Sequence, residues 1–311
     1  MEIGELLDPI RSEVLTGALR RCSELSEQSG AIERVASGSA PLFSEPADAT
    51  VKLVCVSDNG PSYFVTVSGD GNPDLVARAT RNIQQIRRLL SERAAEPVLE
   101  PLETGVVLGR SFAVWPMLPA FPQGRVPRYL AKRLIRPDML DWISDVYDET
   151  HACANAAERQ VIAANLTRLI KDRHHPDRLR RAAERAAERL EAEQWAPLHC
   201  VQHSDLWLGN VMLAPAGSSR SFCVIDWAGA SCKGYPFFDL FRFALSANPS
   251  HRLVKTHVKR QLARQGADSV DGVSHVLCAV GDMQAQLEFF PEELFRRMAV
   301  ETTDYALKVC R

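Results

Sequence analysis

The sequence contains no C-x-x-C pair, no apolar run near the roughly 18 residues a spanning helix needs, and little net charge, −2 over 311 residues. Its eight cysteines are scattered, and none has a histidine at finger spacing. That pattern excludes a zinc module and a disulfide framework, and fits reduced, mostly buried thiols in a cytoplasmic protein. The near balance of charge gives no reason to expect nucleic acid or membrane partners. The opening MEIGELLDPIRSEV is acidic and amphipathic, without the basic-then-apolar pattern of a signal peptide. Repeats and low-complexity segments are also absent. With 46% hydrophobic residues, the chain has material for one large domain or two modest ones. Oligomeric state is not legible.

What is present changes character part-way along. After an N-terminal helix, residues 31–67 read as β-rich. AIERVASGSAPLF has strand character broken at Ser37-Gly38-Ser39, and TVKLVCV and SYFVTV are β-branched runs separated by the turn cluster SDNGP. In GDGNPDLVARATRNIQQIRRLL, Asn72 fits an N-cap and Pro73 the first helical position, and Leu75, Ile83, Ile86, Leu89 and Leu90 form a helical stripe. LETGVVLG and SFAVWPML are two further strands. Long helical patterns follow from about Arg125, among them 136–172 and the Arg/Glu-rich 177–195 with its three- and four-residue charge spacings. Short strands interrupt at 198–227, and helices resume from FFDLFRFALS. The predicted class is α+β, with a boundary at 118/119 and WPMLP (115–119) as its hinge.

One stretch in the second part carries chemistry. VQHSDLWLGNVML sets His203, Asp205 and Asn210 among apolar residues, and SRSFCVIDWAGA puts Asp226 at the end of an apolar strand. If VML and FCV are arms of a hairpin with loop APAGSSRS, Leu213 faces Phe222, Met212 faces Cys223, Asn210 faces Ile225 and Gly209 faces Asp226. A carboxylate and an amide oxygen then converge, a hard-oxygen pair suited to magnesium beside phosphate. Asp205, on the loop entering the hairpin, can accept a proton from a hydroxyl. The plainer alternative makes Asp205 and Asn210 turn residues and Asp226 a helix cap.

His203-x-Asp205-x-x-x-x-Asn210 followed by Ile225-Asp226-Trp227 resembles the catalytic loop and metal-binding Asp of the protein-kinase-like fold, and more narrowly the aminoglycoside phosphotransferase and choline kinase branch. The resemblance implies a two-lobed α+β fold, with a nucleotide-binding lobe over 1–118 and a helical catalytic and substrate lobe over 119–311. It implies ATP and Mg2+, with Asp205 as catalytic base, Asn210 and Asp226 as metal ligands, and His203 as support for the loop. Asp239, in YPFFDLFRF, matches an Asp that steadies this segment in the branch.

The first lobe departs from that pattern. The family's third strand carries a phosphate-binding Lys that pairs with a Glu on the next helix; here the positions give Thr66 and no Glu between Asp74 and Glu92. If the hairpin turns about SDNGP, Lys52 pairs with Thr66 and shares its face, so Lys52 either takes over the phosphates or is an edge lysine in solvent. Two readings stay open: an active phosphotransferase, or a pseudokinase serving as a binding or regulatory module. Ser37-Gly38-Ser39 is the stand-in for a phosphate-covering turn, or an ordinary connection. Around the hinge, two prolines leave Met117 and Leu118 as the N–H donors for an adenine edge.

The short interval between Asp226 and Asp239 leaves little room for a long peptide-seating segment, so the expected acceptor is a small hydroxylated molecule: an aminoglycoside, amino sugar, sugar or amino alcohol. Asp282, Glu288, Glu292, Glu293 and Asp304 suit an aminated acceptor, whereas Arg125, Arg128, Lys132, Arg133 and Arg136 suit an acidic one. The sequence does not choose between them.

Overall fold

The computed structural model describes residues 32–35, 50–55, 62–119, 121–122, 124–287 and 291–311. The expected N-terminal helix, the Ser37-Gly38-Ser39 turn and Glu288 lie outside them. The chain divides into two compact units, one comprising the segments up to Gln84, Leu99–Pro119 and Asp226–Ala228, the other Gln85–Val98, Ala120–Ile225 and Gly229–Arg311.

The first unit is built on an antiparallel sheet of order β1-β2-β3-β5-β4, from β1 (Ile32–Val35), β2 (Val51–Cys55), β3 (Tyr63–Val67), β4 (Glu103–Val107) and β5 (Arg110–Pro116). Alternation along β3 buries Tyr63, Val65 and Val67 and leaves Phe64 and Thr66 half-buried on the other face. Helix α1 (Leu75–Leu89) follows. Its first turn is completed by two buried serines: Ser68 Oγ accepts the N–H of Val76 at 2.9 Å, and Ser111 Oγ that of Ala77 at 3.1 Å. These satisfy amides that a helix start otherwise leaves open. Pro73 is not in the first helical turn as expected. Its carbonyl accepts both the N–H and the hydroxyl of Ser111, at 2.8 Å each, which holds it in a preceding turn.

The second unit is mainly helical. After the short α2 (Glu92–Ala95) come α3 (Arg125–Thr150), β6 (Ala152–Cys153), α4 (Ala156–Lys171), α5 (Asp177–Glu191), β7 (Leu198–Gln202), a 3-10 turn at Leu208–Asn210, β8 (Val211–Leu213), β9 (Phe222–Val224), β10 (Ser231–Gly234), α6 (Phe238–Ala247), α7 (His251–Gln265), α8 (Ser269–Ala285) and α9 (Glu292–Val309). The helical pattern read across 136–172 is two helices. Asn155 caps α4 with a reciprocal Glu158 box, and Ala152 and Cys153 pair with His199 and Leu198 of β7 instead of continuing α3. Helix α8 is buried along residues 271–281, and α4, α5 and α9 pack around it. At Gly281 a Cβ would stand 3.0 Å from the Asn165 carbonyl oxygen, so a small residue lets α4 approach. No helix among the described residues is long and apolar enough to cross a membrane.

Candidate active site

The hairpin β8–β9 has the expected register: Val211 pairs with Val224, Met212 with Cys223 and Leu213 with Phe222. Ile225 continues the ladder, donating its N–H to the Asn210 carbonyl at 3.0 Å. The Ile225 carbonyl accepts from His203 Nε2 at 2.9 Å. Both backbone groups of Ile225 are therefore tied to the segment that bears Asp205. The bond to a carbonyl assigns the proton of His203 to Nε2, a supporting role for a buried imidazole.

Helix α6 holds that loop along one face. Asp239 is buried, and its carboxylate accepts the N–H groups of His203 (2.6 Å) and Ser204 (3.0 Å). Ser246, two turns on, accepts the N–H of Leu208 at 2.9 Å. Burial pushes the Asp239 carboxyl up to about 6, against the pull of His203 and the two amide bonds. Three of the six non-glycine residues with positive φ among those described stand here: Ser204 (72°), Asp226 (68°) and Phe237 (70°). Such backbone persists only where the surroundings determine it, and it gathers at functional sites.

Asp205 is exposed, at 56% of its side chain, yet held. Asn210 Nδ2 donates to its carbonyl at 2.8 Å and to its carboxylate Oδ2 at 3.2 Å. Because the Asn210 nitrogen is spent on Asp205, the oxygen Oδ1 is the atom left to meet a cation. Asp226 is also exposed, while its neighbour Trp227 is buried. No group of three His, Cys, Asp or Glu side chains that could hold a metal occurs among the described residues. The amide oxygen of Asn210 and the carboxylate of Asp226 are each the kind of hard oxygen donor that magnesium takes.

In the first unit, Lys52 pairs with Thr66 and Val54 with Phe64, as the turn chemistry required. Lys52 is exposed. The Thr66 hydroxyl accepts the Trp115 indole N–H at 3.0 Å, so a neutral bond stands where the resemblance expects an ion pair. On α1, Asn82 donates to the carbonyls of Trp227 (3.0 Å) and Ala228 (3.3 Å), directly after Asp226. At that position the amide finds two carbonyl acceptors. Met117 is a correction: its N–H is taken by the Ser62 carbonyl at 3.1 Å, because β5 pairs with β3 up to Pro116.

Glu292 pairs with Arg296, and Asp304 with Arg178, both at the surface. Asp282 is half-buried; burial raises its carboxyl, and Asn165 and Gln286 donate to it at 3.3 Å. Sequence reasoning missed Asn82 and Arg242, whose roles depend on tertiary reach. For Arg242 a signal existed: it follows Asp239 by three residues and so shares its helix face.

The sequence pattern of the phosphotransferase enzyme family matches residues 41–273. No curated protein matches the chain by sequence. Among solved structures, a macrolide 2'-phosphotransferase type I is similar over 97% of this chain and 98% of its own, with TM-score 0.57 and 12% identity. The choline kinase LicA from Streptococcus pneumoniae is similar over 97% of each chain, with TM-score 0.52 and 14% identity. LicA in complex with AMP gives 0.51 and 12%, over 96% of this chain and 98% of that one. At such identities the likeness is one of fold. Together with the family match it establishes the α+β, protein-kinase-like class, and the chain belongs to the phosphotransferase enzyme family.

Proposed function

We propose that the protein transfers the γ-phosphoryl group of ATP, with magnesium, to a hydroxyl of a small molecule such as an aminoglycoside, amino sugar, sugar or amino alcohol. The observation that supports this reading is the double tie on Ile225, whose N–H and carbonyl bond to Asn210 and His203 on either side of Asp205, with Asp226 next in the chain. In this reading Asp205 accepts the proton of the acceptor hydroxyl as its oxygen bonds to the γ-phosphorus. The bond from that phosphorus to the bridging oxygen breaks, and ADP leaves. Asn210 Oδ1 and the Asp226 carboxylate would hold magnesium, which when bound neutralises charge on the phosphate oxygens. His203 and Asp239 keep the loop backbone in place and touch no reacting atom.

For the nucleotide, we assign the α- and β-phosphates to Lys52, beside Thr66, and an adenine edge to the Leu118 N–H. Met117, with its N–H engaged, serves as side-chain surface only. The phosphate-covering turn is assigned to Ser37-Gly38-Ser39. A structural relative bound to AMP supports adenine-nucleotide use. Six free cysteines among the described residues support a reducing, cytoplasmic setting.

The test is a thermal-shift titration with ATP, with and without magnesium, followed by an ATP-consumption screen over amino sugars, aminoglycosides, sugars and choline-like alcohols. A magnesium-dependent rise in melting temperature and consumption with one acceptor class are expected. No shift at millimolar nucleotide and no consumption would return the protein to the binding-module reading. Lys52→Ala should weaken ATP binding more than Thr66→Ala; equal affinities would defeat the assignment of Lys52.

A further inference from the structure

Helix α6 turns three polar side chains toward the loop at 203–208, at positions 239, 242 and 246. The first and last bind backbone amides, as described above. Between them, Arg242 approaches the loop's only acidic side chain: its Nη2 stands 3.5 Å from Asp205 Oδ1. The Arg242 side chain is 18% exposed, and its Nε is buried without a hydrogen-bond partner among the described residues. A cation that is largely withdrawn from water needs a counter-charge, and among the described residues the carboxylate at its tip is the one that pairs with it.

Asp205 is thus gripped from two sides, Oδ1 by Arg242 and Oδ2 by Asn210 Nδ2. Without such contacts, an exposed aspartate on a loop would distribute over several rotamers. With them, the remaining lone pairs keep a fixed direction toward an acceptor hydroxyl, and alignment of this kind separates a competent base from a nearby carboxylate. Arginine suits the task better than lysine, because its planar fork stays charged and loses less freedom per bond.

We infer that Arg242 is a positioning residue for phosphoryl transfer, acting through Asp205 by fixing the direction of its carboxylate. The inference rests on the reading of Asp205 as base. Arg242→Met keeps the packing volume and removes the charge. It is expected to lower kcat about 10–100-fold with the ATP dissociation constant unchanged, and Arg242→Lys to restore part of the loss.

A readout independent of turnover is the melting temperature of the protein without ligands. Asp205→Asn strands the guanidinium and should lower the melting temperature in the wild-type background, but not in the Arg242→Met background. If Arg242→Met turns over at the wild-type rate while Asp205→Ala is inactive, the inference about Arg242 fails and the base assignment stands. If Asp205→Ala itself is active, it is the reading of Asp205 that fails. Equal melting-temperature losses from Asp205→Asn in both backgrounds would likewise overturn the coupling.

Discussion

The carboxylate of Asp239 holds the backbone of His203 with one oxygen and that of Ser204 with the other, at 2.6 and 3.0 Å. One buried side chain on α6 therefore sets the chain direction immediately before Asp205. Ser204 is left-handed at φ 72°, which costs a non-glycine residue about 1 kcal/mol. Two hydrogen bonds to a carboxylate are each strong enough to offset that cost.

The first prediction concerns pH. Because burial raises the Asp239 carboxyl to about 6 from an ordinary value near 4, the folded state binds its proton more tightly than the unfolded chain. Its stabilising contribution is complete below the ordinary value and is lost as pH rises through 6. The shift corresponds to about 3 kcal/mol. Denaturant unfolding of wild type and Asp239→Asn between pH 4 and 7 should show the wild type losing ground to the variant by that order as pH rises. Parallel profiles would contradict the buried carboxyl.

The second concerns the hairpin that positions Asn210. In its loop, Arg220 is 5% exposed and donates to Asp138 and Asp145 of α3, at 2.6 Å each. Burial alone would weaken the guanidinium's hold on its proton, but the two carboxylates more than restore it. Arg220→Met should cost about 2–3 kcal/mol, less than a fully buried pair because both carboxylates can rehydrate. A urea midpoint equal to that of the wild type would show that the hairpin does not depend on this pair.

A third prediction separates an amide from a carboxylate at position 82. Asn82→Ala removes the donor to Trp227 and Ala228 and should cost about 1–2 kcal/mol. Asn82→Asp should cost more, since an ionised carboxylate would then face two carbonyl oxygens. Hydrogen exchange at residues 226–229 should quicken in both variants. Unchanged exchange would mean that the loop is held by other contacts.

The legible parts of this protein were those governed by neighbours in sequence or by strand period. The β8–β9 register follows from two short apolar arms around a Gly- and Ser-rich loop, and the pairing of Lys52 with Thr66 from Pro61, which disfavours the tighter turn. The break after α3 was also written in the chain, as Asn155-x-x-Glu158, but the surrounding helical period masked it. What could not be read are bonds decided by tertiary reach. The Met117 N–H meets Ser62 only because β3 lies beside β5, and Asn82 meets Trp227 across a long interval of chain. The left-handed backbone at 204, 226 and 237 has no sequence signal, because none of the three is glycine.

The central claim is that Asp205 accepts the proton of the acceptor hydroxyl. The most direct measurement compares phosphoryl transfer by wild type and Asp205→Ala, using the acceptor class found by ATP consumption, with ATP affinity determined in parallel. The account predicts that the variant binds ATP and magnesium as the wild type does and loses transfer by about 10²–10⁴-fold. Transfer by Asp205→Ala at the wild-type rate would contradict it.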